Sequence, residues 1–111
     1  MNEIQFDDFI KVHICSGTVT DAKVNAKARV PAYVLTIDFG EHGIKTSSAQ
    51  ITDNYQAEQL IGQQIVAVIN FPPKRIAGIK SEILVLGCVT DNDGVVLLQP
   101  TKQVANGCRV A

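Results

Sequence analysis

Asn70–Gly87 reads NFPPKRIAGIKSEILVLG, a short basic loop held between two apolar strands. The first strand, Gln64–Asn70 (QIVAVIN), is β-branched and apolar on both faces. Pro72–Pro73 ends it, because proline has no N–H to give a sheet ladder. Lys74, Arg75 and Lys80 follow with no acid before Glu82, and a second apolar strand resumes over Ile83–Cys88. Cations in a single loop are ordinarily just solvated. A second basic loop earlier in the chain gives these three more weight.

Upstream, Gln5–Lys11 predicts a short helix, with Asp7 and Asp8 in its first turn and Phe6, Phe9 and Ile10 on one side. A helix of that length has to pack against something to persist. Val12–Val24 reads as a long strand in which Gly17 marks a bulge or bend. Lys23–Pro31 is a loop carrying Lys23, Lys27 and Arg29. Tyr33, Leu35, Ile37 and Phe39 then alternate with Val34, Thr36 and Asp38, the pattern of a half-buried strand. Gly40 and Gly43 bracket a turn into a more polar strand, Ile44–Ile51. Thr52-Asp53-Asn54 offers caps for a helix of about two turns over Tyr55–Ile61, and Gly62 stands where a helix stop belongs. Asp91-Asn92-Asp93-Gly94 is a hairpin turn into Val95–Leu98, Pro100 ends that strand, and Gly107–Val110 is a last extended piece.

Three strands, a helix and two or more further strands form the order of the OB-fold, an all-β, five-stranded Greek-key barrel with short helices. Here an N-terminal helix and a C-terminal extension flank it. In that fold the loops joining strands one to two and four to five border the ligand face. They are the two basic loops of this chain, and they hold six of its ten Lys and Arg residues. The net charge of −1 excludes polyanion binding by bulk charge, so a nucleic-acid site must be a local patch. The 111 residues are expected to form one domain over 1–111, large enough for a core without metal or disulfide staples. The acidic start MNEIQFDDF and the absence of a long apolar run predict a cytoplasmic chain with no membrane insertion. Three widely spaced cysteines, Cys15, Cys88 and Cys108, suggest reduced thiols.

No catalytic constellation emerges. His13 and Cys15 share a strand face, but two local ligands do not hold a metal, and no C-x-x-C or H-x-x-x-H spacing occurs. Ser47-Ser48 lacks a nucleophile elbow, and no glycine-rich phosphate loop is present. The expectation is a non-enzyme with no metal and no cofactor. Without tryptophan and with two tyrosines, stacking platforms for single strands are scarce. Among nucleic acids, the residues favour a folded RNA held through phosphates and shape over a single strand.

The segment NFPPKRIAGIKSEILVLG, with SSAQIT and ARVPAY upstream, resembles the CsaA family of export-related chaperones. More distantly it is similar to the tRNA-binding domain at the C-terminus of methionyl-tRNA synthetases and in free-standing tRNA-binding proteins. The resemblance spans essentially the whole chain. It implies an OB-fold homodimer joined through the N-terminal helix and the segments after the fifth strand, with tRNA as ligand. By position, the family motif falls on Asn70, Lys74, Arg75, Gly78, Ser81 and Glu82, and the polar third strand of the binding face on Ser47, Ser48 and Gln50. Lys80, Lys27 and Arg29 complete the expected tRNA surface. The chain departs at Cys15-Ser16-Gly17, where the tRNA-binding family commonly carries an arginine before the glycine. The CsaA resemblance also implies a second activity, holding unfolded preproteins for the export machinery in apolar pockets, with Phe71, Ile76 and Ile79 as candidates beside the basic loop.

Overall fold

The computed structural model describes residues 1–111 in full. After α1 (Phe6–Ile10) come β1 (Ile14–Val24), β2 (Tyr33–Asp38), a single 3₁₀ turn over Gly40–His42, β3 (Ile44–Ala49), α2 (Ala57–Leu60) and β4 (Gln64–Val68). Five short strands follow: β5 (Lys74–Ile76), β6 (Ile79–Ser81), β7 (Leu84–Val85), β8 (Gly87–Val89) and β9 (Val95–Leu97). The main sheet runs β3-β2-β1-β4-β7, antiparallel throughout. It curls until β3 meets the segment after β6, where Glu82 N–H donates to Thr46 C=O at 2.9 Å. The result is the expected OB-like fold, a nearly closed five-stranded barrel.

The period-two pattern of β2 carries the core. Leu35, Ile37 and Phe39 are fully enclosed and meet Val19 from β1, Ile65 from β4 and Leu60 from α2. Gly17 does not bulge the strand: Ser16, Gly17 and Thr18 keep regular register with Val66, Ile65 and Gln64. The bulge lies at Thr20, where the register to β2 shifts between Val19 and Asp21. Gly17 is instead a space requirement, because a Cβ there would stand 2.7 Å from the Phe39 ring and 2.8 Å from Ile37 Cγ2.

Four other expectations are corrected. The basic stretch after Pro73 is no irregular loop but a β-hairpin, β5–β6. α2 is a single turn that begins after Gln56, whose N–H is accepted by the Gln59 carboxamide oxygen, so Thr52-Asp53-Asn54 does not cap it. β1 continues through Lys23 and Val24, leaving residues 25–32 as the connection. Ile83–Cys88 is broken, because β7 pairs with β4 while β8 turns away to pair with β9.

The segment 104–110 seals the open side of β1. Ser16 gives it four hydrogen bonds: its N–H donates to Cys108 C=O, its C=O accepts from Gly107 N–H, and its hydroxyl donates to Ala105 C=O and accepts from Cys108 N–H. Gln64 clamps Val104 through both carboxamide atoms, and the Arg109 guanidinium donates to Ile10 C=O at 2.7 Å.

Candidate nucleic-acid interface

The β5–β6 register pairs Lys74 with Ser81, Arg75 with Lys80 and Ile76 with Ile79 across the two-residue turn Ala77-Gly78. Both turn residues have positive φ, 47° and 80°, the hairpin turn whose twist suits two right-handed strands. Glycine enters that region freely, whereas alanine is strained there. Because side chains alternate across a strand, the register divides the cations between two faces. Arg75 and Lys80 lie directly opposite each other on one face, and Lys74 lies on the other with Ile76, Ile79 and Ser81.

That second face turns toward the barrel. Ser81 is buried, its hydroxyl accepting from Ser48 N–H at 3.3 Å, and the neighbouring Glu82 carboxylate accepts from Thr46 N–H at 3.2 Å. Lys74 and Ile76 line a depression of about 260 Å³ with Phe71, Pro72, Ile83 and Leu84. Arg75 and Lys80 are exposed on the side away from it.

The connection between β1 and β2 reaches this hairpin. A Cβ built on Gly78 would stand 2.9 Å from Lys27 Cδ and 3.4 Å from its ammonium nitrogen, so the Lys27 side chain lies across the turn. The Arg75 guanidinium donates to Gly78 C=O at 3.4 Å. Lys27, Arg75 and Lys80 thus gather at one hairpin end, while Arg29 is exposed two residues from Lys27. None of these four, nor Lys74, has a carboxylate within 4.0 Å; the chain's one close charge contact is His42 with Glu41 at 3.9 Å. Like charges facing each other across a hairpin repel, and an anion between them would relieve the repulsion.

Other residues expected at the interface are engaged in the fold. Ser47 is enclosed, its hydroxyl donating to Ile83 C=O at 3.3 Å, which ties β3 to the segment before β7. The Asn70 carboxamide donates to Lys11 C=O and accepts from His13 N–H, which ties the α1–β1 link to the end of β4. Ser48 is half-buried and Gln50 exposed at the rim. Ile79 is half-buried, while Phe71 and Ile76 are exposed. Two exposed apolar residues that sequence patterning does not single out, Leu84 and Val89, continue the surface begun by Phe71 and Ile76. Their positions in an apolar run read as core.

No group of three His, Cys, Asp or Glu side chains gathers as a metal site. Cys15, Cys88 and Cys108 are free thiols, the first buried and the others exposed. Burial pushes the Cys15 thiol above its ordinary value, and the nearby Arg109 guanidinium opposes that rise.

A family model described as a putative tRNA binding domain matches residues 14–109. Among curated proteins the chain is 35% identical over 104 residues to a methionine–tRNA ligase of Methanococcoides burtonii, covering 94% of this chain and 15% of that protein. It is 33% identical over 107 residues to the Pyrococcus abyssi ligase, covering 96% and 14%. The chain therefore matches only a small part of those enzymes. Among solved structures it is similar to the chaperone CsaA of Bacillus anthracis, at 56% identity and a TM-score of 0.94, covering 99% of this chain and all of that one. CsaA of Picrophilus torridus follows at 46% identity and 0.92, covering 98% and 100%. A MetRS related protein from Pyrococcus horikoshii has 28% identity and 0.88, with full coverage of both chains.

Proposed function

The chain belongs to the tRNA-binding domain family, and from that premise we propose that it is a non-catalytic cytoplasmic homodimer that holds folded tRNA on the outer face of its β5–β6 hairpin. The observation that carries this reading is the unpaired cation group Lys27, Arg75 and Lys80 around Gly78. Arg75 offers a planar fork for phosphate oxygens, and the two lysines supply point charges beside it. Arg29 extends the surface, whereas Ser48 and Gln50 lie on the barrel side of the hairpin. Lys74 serves less directly, since it projects from the opposite face of the hairpin.

The test is tRNA binding by wild type and by Arg75→Ala/Lys80→Ala across a salt series. The logarithm of the binding constant should fall with the logarithm of salt in wild type, and the variant should bind more weakly with a slope flatter by about one to two units. Equal affinity and slope would move the RNA site elsewhere.

A second reading, a chaperone that holds unfolded preproteins for export, is favoured by a different observation. Phe71, Ile76, Leu84 and Val89 expose apolar surface along one side of the molecule, with no counterpart in the RNA reading. Suppression of aggregation of a denatured test protein would support it, and failure to suppress would remove it.

A further inference from the structure

Residues 25–32, the connection between β1 and β2, have one organiser. The hydrogen bonds made inside this segment all run to Asn25: its N–H donates to Ala32 C=O at 2.9 Å, its C=O accepts from Ala28 N–H at 3.2 Å, and its carboxamide oxygen accepts from Lys27 N–H at 3.1 Å. The first closes the connection where the two strands end. The other two fold Asn25–Ala28 into a turn, and a carboxamide that accepts from the N–H two residues on sets such a turn from the side chain.

Asn25 is 7% exposed, although Ala26, Lys27 and Arg29 beside it are all exposed. Its amide nitrogen is the one buried side-chain nitrogen or oxygen of the chain with no hydrogen-bond partner. A buried donor left unpaired is costly, so stability alone does not account for this side chain. Serine would give the turn a weaker acceptor without a second polar group to bury. Aspartate would give an acceptor with no orphaned donor, but would set a carboxylate beside Lys27. Asparagine supplies a firm acceptor that carries no charge. What it holds is Lys27, whose stem crosses the turn of the neighbouring hairpin with Cδ 2.9 Å from where a Gly78 Cβ would stand. No carboxylate lies within 4.0 Å of the Lys27 ammonium group, so its place beside Arg75 and Lys80 depends on the backbone at residue 27.

We propose that Asn25 is a positioning residue for RNA: without touching the ligand, its carboxamide oxygen fixes Lys27 across the β5–β6 turn before tRNA arrives. A long side chain ordered in advance leaves less entropy to be lost on binding. The proposal rests on the tRNA-holding reading above, and it adds the turn between β1 and β2 as the part that sets the cation group.

The experiment measures binding of unfractionated tRNA to wild type, Lys27→Ala, Asn25→Ala, the double variant and Asn25→Ser. At about 0.1 M salt Lys27→Ala should weaken binding about five- to tenfold, the counterion release of one phosphate contact. Asn25→Ala should weaken it about threefold or more, the cost of ordering one lysine only at binding. The double variant should match Lys27→Ala within about twofold, because a residue that acts through Lys27 has nothing left to position once that side chain is gone. Asn25→Ser, which keeps a weaker acceptor, should bind with an affinity between those of Asn25→Ala and wild type. Wild-type affinity in Asn25→Ala overturns the proposal. So do losses that add in the double variant, which would mean that Asn25 acts on RNA directly or through the fold at large. An Asn25→Ser no better than Asn25→Ala overturns it as well, since the acceptor would then not be the operative group. If Asn25→Ala does not fold, Asn25→Ser with and without Lys27→Ala decides by the same non-additivity. If Lys27→Ala binds as wild type does, the proposal falls while the Arg75 and Lys80 face stands. If wild type itself binds no tRNA, the tRNA-holding reading fails first.

Discussion

Arg75 and Lys80 face each other with no acid nearby, so the fold holds two positive charges in a cross-strand pair that is unfavourable on its own. Lys80→Gln should raise the stability of the free protein by about 0.2–1 kcal/mol while weakening tRNA binding. Opposite signs in thermal melts and in binding are the check, and a loss in both would mean that Lys80 serves the fold. Gly17 is constrained differently, by the Phe39 ring against its Cα. Gly17→Ala must displace a fully enclosed aromatic and should cost about 1–3 kcal/mol in urea denaturation. Cys15 adds a pH dependence. Its thiol is raised by burial, so the folded state keeps the proton while the unfolded chain ionises. Stability is therefore untouched below the ordinary thiol value of 9.0 and declines as pH rises past it. The fall in urea midpoint between about pH 8 and about pH 10 should be smaller in Cys15→Ala than in wild type. The types of these residues were legible in the sequence, but their directions were not. Lys74 and Arg75 read as one basic pair until the register places them on opposite faces, and Ser47 reads like Ser48 until its hydroxyl is found on Ile83.

Among the elements, the long strands and the hairpin turn at Gly94 followed from period-two patterning and turn chemistry. β5–β6 escaped because Ala-Gly is a poor signal for a turn that usually carries Asn-Gly, and because three-residue strands carry almost no periodicity. The break between β7 and β8 was equally hidden: Leu86 donates to Val66 and accepts from Leu98, so an apolar run changes partners without a change of composition. The link between α1 and β1 is tied to the end of β4 by the Asn70 carboxamide and by Ile69 N–H, which donates to His13 C=O. Asn70→Ala removes both hydrogen bonds to Lys11 and His13, and amide exchange at residues 11–14 should accelerate without change in the barrel strands. Unaltered exchange there would show that Arg109, which holds Ile10, and Ile69 N–H, which holds His13, suffice without it.

For the whole molecule, a near-neutral net charge coexists with a cationic hairpin end because Lys27, Arg75 and Lys80 converge while the acids stay dispersed. α1 buries no residue: Phe6 is 73% exposed, as is Ile4 just before the helix at 72%, and a five-residue helix does not persist unaided. Wild type should sediment as a dimer, and Ile4→Ser/Phe6→Ser should move it toward the monomer at micromolar concentration; an unchanged profile would place the contact elsewhere. The seal over β1 has a consequence for how the molecule is made. Ser16 and Thr18 wait for partners 88 to 92 residues further along. A ribosome adds residues at about 5–20 per second, so β1 is exposed for some seconds before 104–110 can cover it. During that interval the nascent chain carries an uncovered strand of the kind other chains add to, and the barrel cannot finish folding until synthesis has passed Val110.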